Sequence, residues 1–482
     1  MGSLWALLVE NETQFPHSCL GGIFDAGLSG LSGQRVKWPR CRPNPHIQNS
    51  SNLVQETHIC AALLLGDDQV SWLLPAFCHG GKGGSMHGGN NAYIAGASPP
   101  RHLLSCFADF AITSYITIRR ICYQKASPVM TAPPPSVKDS MKSTWRTWDR
   151  KHWNYNHWIL YAINPFHRDL DREVPVHPKT DKVPHVSTTN QHIWILLHAA
   201  IVLAVHQLWL SLTGIQLPFF AAVGYYTTGF LFVVVHQLHI IRRLGHIYGH
   251  LDGEHERDGI PDYGVAKVLG AGWKTAGGRM LMSAYLTYDP ASSPLQDMSS
   301  RDWWIWLPFQ IGFYCVILDF WFYWYHRAMH DVNGLWQFHR THHLTKRPNA
   351  MLSAYADDVQ EFLDMVGIPF MTYLSFKALG IPLGFYDWFI CHQYIAFTEA
   401  GGHSGLRMHL QAASPFSFIL SYFDAELVIE DHDLHHRKGW RKSHNYGKQT
   451  RLWDKIFGTC HERIELREDN VDYDNQAHIP LW

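Results

Sequence analysis

Three apolar stretches, residues 193–212, 217–241 and 303–324, are long enough to cross a bilayer as helices, for which about 20 residues are needed. A fourth region, 362–397, has room for a hairpin of two spans broken near Gly380, Ile381 and Pro382. Trp303, Trp304, Trp321, Tyr323, Trp324, Tyr325, Tyr386 and Trp388 crowd the ends of these stretches, as an interfacial aromatic belt does. Long buried helices of a soluble protein would explain neither the flanks nor the repetition. Backbone in lipid must satisfy its own hydrogen bonds, so each stretch is expected to be helical. The predicted fold is therefore an all-α integral membrane bundle of about four to six spans. Mean hydropathy is slightly negative, −0.16, so a substantial part of the chain lies outside lipid.

Cations follow the spans: Arg242, Arg243, Arg327, Arg340, Lys346, Arg347, Arg437, Lys438, Arg441 and Lys442. By the positive-inside rule the segments that carry them face the cytosol. If Arg242 and His326 are both cytosolic, an even number of crossings separates them, and 303–324 supplies one. Either 265–286 also dips into the membrane, or the first spans run the other way. The net charge of −1 gives no reason to expect a nucleic-acid partner.

The last third of the chain carries nine histidines and a glutamate at short intervals: His326 and His330, His339 with His342 and His343, Glu399 and His403, and His432 with His435 and His436. On a helix, intervals of three and four place side chains on one face. Histidine is abundant here, 33 of 482 residues, so a single HxxxH pair arises by chance. Two complete HxxHH groups with HxxxH and ExxxH inside about a hundred residues do not. Neutral imidazoles with one carboxylate suit iron, copper or zinc rather than calcium or magnesium. Ten ligands are too many for one ion and suit two, held in a cytosolic helical cap. His192, His198, His206, His236 and His239 lack matching partners and are expected to be buried, hydrogen-bonded or interfacial.

Other segments carry weaker signals. Residues 1–129 are rich in Gly, Ser, Pro and Cys without sustained periodicity, and are expected to be a poorly structured extension, with the working chain beginning near Met130 or Met141. Residues 130–190 read as an amphipathic linker in which 145–164, alternating aromatic and basic, lies along the membrane surface. A transmembrane hairpin and polar loop follow over 191–302, a catalytic domain over 303–465 and a tail over 466–482. Within the polar loop, His250, Glu254 and His255 are spaced too irregularly for a metal site. Asp357, Asp358, Glu361 and Asp364 form a polar helix face from which a carboxylate could support a ligating imidazole.

Glu399 would reduce by one the charge that an all-imidazole shell leaves uncompensated. It follows the apolar run 389–397, a placement that lets a long-chain substrate enter from lipid. Zinc alone would give Lewis-acid chemistry, usually with three protein ligands. So many histidines in a membrane setting suit dioxygen activation by two irons better, and copper is a third occupant compatible with the ligands.

Residues from about 300 to 460 resemble the fatty acid hydroxylase/sterol desaturase superfamily of membrane histidine-box di-iron enzymes. The matching segments are His326–His330, His339–His343 and His432–His436, with Asn445, Tyr446, Gly447, Leu452, Trp453, Asp454, Phe457, Gly458 and Thr459. The resemblance implies a multi-pass enzyme of the endoplasmic reticulum membrane that uses dioxygen and electrons from NAD(P)H through a b-type cytochrome or its reductase. At Glu399 some members carry histidine, and a glutamate there is similar to the alkylglycerol monooxygenase branch. The leading expectation is a lipid mono-oxygenase that hydroxylates a fatty acyl or related chain, with His326, His330, His339, His342, His343, Glu399, His403, His432, His435 and His436 as metal ligands. A sterol desaturase or sterol methyl oxidase is the alternative within the enzyme class. A zinc-binding membrane protein without redox chemistry is the alternative outside it.

Overall fold

The computed structural model describes residues 139–482; the expectation of a poorly structured extension over 1–129 lies outside the described residues. The architecture is mostly helical. α1 (Tyr155–Ile163) is followed by α2 (Thr188–Thr213), α3 (Phe219–Tyr248), α4 (Val265–Thr287) and α5 (Arg301–Asp331). After α6 (Asn333–His339) come α7 (Asp358–Phe362), α8 (Ile368–Ala378), α9 (Phe385–Ser404) and α10 (Ile429–Lys438).

Local chemistry sets the helix ends. The Ser187 hydroxyl accepts from Asn190 N to cap α2, which stops at Gly214 in the left-handed region (φ 66°), where glycine carries no Cβ penalty. Pro218 precedes α3, and Gly249 at its end has φ 74° with the Pro175 carbonyl pressed against the place a Cβ would occupy. One turn of π-helix, Leu363–Gly367, joins α7 to α8.

Helices α2, α3 and α5 are long and apolar enough to cross a membrane. Only 28% of the most apolar window of α3 is buried within the protein, so most of that apolar surface needs lipid to cover it. The region 362–397 does form a helical hairpin, α8 and α9, turning at Gly380 (φ 70°), but among the described residues neither helix is long and apolar enough to cross a membrane as the expected two spans would; α4 packs along α3. α9 is the central element, buried on nearly every side and packed against α2, α3, α4, α5 and α10. It therefore brings Glu399 and His403 into the interior rather than to a surface.

Two readings change in the folded chain. Trp145, expected on the membrane surface, is fully buried and contacts Trp153, His157 and Phe166, because the segment folds back on α4 and forms a second small core. The exposed aromatics of the segment are Trp148, Tyr155, Trp158 and Tyr161. The C-terminal tail contains β2 (Val471–Gln476), which pairs in parallel with β1 (Val183–His185) in the register Val183–Val471. Beyond it Ile479 N donates to the Asn190 side chain at 2.8 Å, and the Leu481 carbonyl is 2.8 Å from His236 Nε2. These contacts join chain segments 245 to 289 residues apart, invisible to periodicity.

The unmatched histidines behave as expected. His192 Nδ1 meets Tyr394 Oη at 2.7 Å, His198 Nδ1 the Trp194 carbonyl at 2.7 Å, and His206 Nδ1 Tyr226 Oη at 2.9 Å. His239 Nε2 donates to the Ile163 carbonyl at 2.8 Å. His255 pairs with Asp252 at 3.2 Å, inside the loop and away from the histidine groups.

Candidate metal centre

Four elements converge on one buried volume. The C-terminal turns of α5 supply His326 and His330, α6 and the turn after it His339, His342 and His343, α9 His403, and α10 His432, His435 and His436. All nine imidazoles are at most 2% exposed. They sort into two groups. Nitrogens of His326, His330, His339, His343 and His435 all lie within 4.8 Å of one another, and so do nitrogens of His342, His403, His432 and His436. Adjacent histidines part company: His342 and His343 go to different groups, as do His435 and His436, because successive side chains diverge around a helical turn. Each HxxHH segment thus feeds both groups.

The outer ring nitrogens are held by carbonyls. His326 Nδ1 is 2.7 Å from the Tyr446 carbonyl, His435 Nδ1 2.6 Å from that of His444, and His436 Nδ1 3.0 Å from that of Thr345. His330 Nδ1 meets the Arg441 carbonyl at 3.2 Å, and His403 Nδ1 the Glu399 carbonyl at 2.9 Å. A carbonyl only accepts, so each of these rings carries its proton on Nδ1 and turns a bare Nε2 inward. His339 is fixed in the same way by the Gln360 side-chain oxygen at 2.9 Å.

The inner contacts then test whether metal fits. His326 Nε2 and His339 Nε2 are 3.0 Å apart, both as lone pairs with no proton between them. His435 Nε2 lies 2.9 Å from His343 Nε2, and His432 Nε2 3.0 Å from His403 Nε2. Inner nitrogens of His330 and His436 are buried without a partner. Burial holds the imidazoles of His339, His342, His343, His432, His435 and His436 well below their usual pKa, so they are neutral. Converging neutral lone pairs in a dry volume repel one another unless a cation sits among them, so these residues fit metal ions.

Glu399 stands apart from both nitrogen groups. Its Oε1 accepts from Lys448 Nζ at 3.0 Å and lies 3.5 Å from His403 Nδ1. It flanks the four-nitrogen group with a paired negative charge. The carboxylates of 357–364 do not reach an imidazole; Gln360, between them, does, and its Nε2 donates to Asp364 at 3.3 Å. An amide was overlooked because neither charge nor spacing distinguishes it.

A buried scaffold holds the loop that follows α10. Asp319 in α5 accepts from the backbone N of Lys448 at 2.7 Å, Gln449 at 2.9 Å and Thr450 at 3.1 Å, and from Thr450 Oγ1 at 2.7 Å. Asp454 accepts from Tyr446 N at 2.8 Å and Gly447 N at 2.7 Å. At Gly447 a Cβ would stand 2.3 Å from the Thr450 carbonyl, so only glycine lets this loop close. The loop in turn presents the Tyr446 carbonyl to His326 and Lys448 to Glu399. Asp319 had a legible signal: one acid inside an apolar span is expensive unless it does something. The other face of α10 is clamped by Asp433 with Arg257 at 2.6 Å, Asp431 with Arg463 at 2.8 Å, and Glu430 accepting from Leu466 N at 2.7 Å.

A largely apolar cavity of about 430 Å³ lies between α3, α4, α5 and α9. Phe230, Leu238, Phe322, Ile368 and Ile395 line it, and its wall reaches Glu399 and Lys448.

Residues 311–459 match the fatty acid hydroxylase family. The chain is 42% identical over 313 residues to the fatty acid hydroxylase vlmA of Lecanicillium sp., which spans 62% of this chain and 84% of that relative. It is 28% identical over 175 residues to human alkylglycerol monooxygenase, covering 35% of this chain and 33% of the relative. Over 165 residues it is 30% identical to the tobacco (Nicotiana tabacum) Delta(7)-sterol-C5(6)-desaturase, 33% of this chain and 53% of the relative. No solved structure matches the chain.

Proposed function

The chain belongs to the fatty acid hydroxylase family, and from that premise we propose that it is a membrane-bound di-iron oxygenase that hydroxylates a fatty acyl or related lipid chain with dioxygen and external electrons. As a family member it is an oxidoreductase acting on lipids, and its helices suit a bilayer. The finer reading rests above all on the two groups of inward-facing imidazole nitrogens, with acceptors on the outer nitrogens of His326, His330, His339, His403, His435 and His436 keeping the inner nitrogens of those rings free of protons. His326, His330, His339, His343 and His435 would hold one ion and His342, His403, His432 and His436 the other. Two irons, when bound, would supply the reductive activation of dioxygen that oxidising an unactivated C–H bond requires.

The residues of the chain would then do three things. Carbonyls of Tyr446, Arg441, His444 and Thr345 and the Gln360 amide orient the rings and keep their inner nitrogens free of protons. Glu399, expected as a tenth ligand, places negative charge beside the four-nitrogen group while Lys448 holds it in position. The apolar cavity takes the hydrocarbon chain and excludes water from the oxidised carbon. Electrons come from a b-type cytochrome or its reductase, with the histidines on the cytosolic side of the endoplasmic reticulum membrane, an orientation supported by Lys346, Arg347 and Lys438 near the centre.

Metal analysis of protein purified from membranes, paired with mass spectrometry of defined lipids after incubation with a reduced donor, tests this. Two irons per chain and a hydroxylated acyl product are expected. Zinc without dioxygen uptake would sink the redox reading, and a dehydrogenated sterol would replace hydroxylation by desaturation.

A further inference from the structure

We propose that the exposed cationic loop after α10 is the docking surface for an acidic one-electron carrier protein, and that Trp440 and Trp336 connect that surface to the five-nitrogen group. This inference rests on the redox reading above. Hydroxylation balances as R–H + O2 + 2 e⁻ + 2 H⁺ → R–OH + H2O, so a one-electron carrier must visit twice per turnover, and the centre is too deeply buried to touch it.

The loop offers the needed charge. Arg437 is turned inward and paired with Asp433 at 2.9 Å. Lys438, Arg441 and Lys442 are exposed, and among the described residues none of them forms an ion pair. Unpaired cations in one short loop create a local positive field that attracts an acidic partner. In their midst Trp440 is 39% exposed, with Lys346 Nζ 4.5 Å from its ring centroid.

The path inward is short. The Trp440 ring lies 5.2 Å from Trp336, centroid to centroid. Trp336 lies 5.3 Å from His330 and 5.7 Å from His343, both in the five-nitrogen group. The same loop touches that group a second time, through the Arg441 carbonyl on His330 Nδ1 at 3.2 Å. Anionic lipid headgroups would also be drawn to the cations, but they give no reason for a continuous aromatic contact leading into the centre.

The test uses the metal-loaded full chain and, as probe, the soluble haem domain of an acidic b-type cytochrome. Binding is titrated at several ionic strengths, and oxidation of the reduced haem is followed by stopped flow. Lys438→Glu/Lys442→Glu should weaken binding about tenfold or more and flatten its salt dependence, with metal content unchanged. Trp440→Leu should leave binding within about twofold but slow haem oxidation severalfold, and Trp440→Phe should restore part of that rate. Binding of the charge-reversed variant within twofold of the parent, or binding to anionic vesicles but not to the haem domain, would overturn the surface. Unchanged haem oxidation in Trp440→Leu would overturn the path. Absence of iron would instead defeat the functional reading itself, so the two failures are distinguishable.

Discussion

The two nitrogen groups share the two HxxHH segments yet face different surroundings. The five-nitrogen group is bounded by the Tyr446, Arg441 and His444 carbonyls, by Gln360 and by Trp336, which leads to the surface. The four-nitrogen group lies beside Glu399, Lys448 and the apolar cavity. One faces the polar loop after α10 and the other the apolar cavity. On the proposed function, a single ligand set is thus divided between an electron-facing and a chain-facing half, and the division runs between the adjacent histidines of each HxxHH segment.

The largest effects should come from splitting those neighbours. His343→Ala and His342→Ala should each lower hydroxylation by more than about 100-fold, a ligand lost from the metal shell in each case. Metal analysis should find the ion of the five-nitrogen group depleted in the first and that of the four-nitrogen group in the second; equal loss of both ions from either variant breaks the comparison. Next, Glu399→Gln should reduce activity by tens-fold at near-normal metal content, because it removes a charge beside the centre without removing a nitrogen. A product assay read against iron content checks this, and full activity would remove Glu399 from the chain-facing half.

Gln360→Leu takes away the acceptor that fixes His339. A chelator competition should show the five-nitrogen group weakened by about tenfold, with the other group unaffected. The smallest effect is expected at His239, whose Nε2 meets the Ile163 carbonyl. His239→Leu should cost about 1 kcal/mol in thermal stability and leave iron content and turnover within about twofold; loss of iron there would mean that the structural histidines had been misread.

Much of this was legible before folding. The helical spans followed from the length of apolar runs, and α2, α3 and α5 stand where 193–212, 217–241 and 303–324 predicted helices. The nine histidines were visible from intervals of one, three and four, because those intervals describe a helix face. The division into two groups was not visible, since it depends on how α5, α6, α9 and α10 cross. Gln360 carries no charge, and the orienting carbonyls belong to backbone that any residue has. Lys448 was one cation among many until Asp319, some 129 residues earlier, pinned its loop.

Residue type and spacing alone determined that this chain would form membrane-length helices and carry a concentrated set of imidazole bases, because both properties are local and repeat along the chain. Tertiary structure decided which nitrogens share an ion, which ring positions keep their protons, what stands beside Glu399 and which loop meets solvent. Those depend on distances between segments a hundred or more residues apart, and packing and buried hydrogen bonds set such distances.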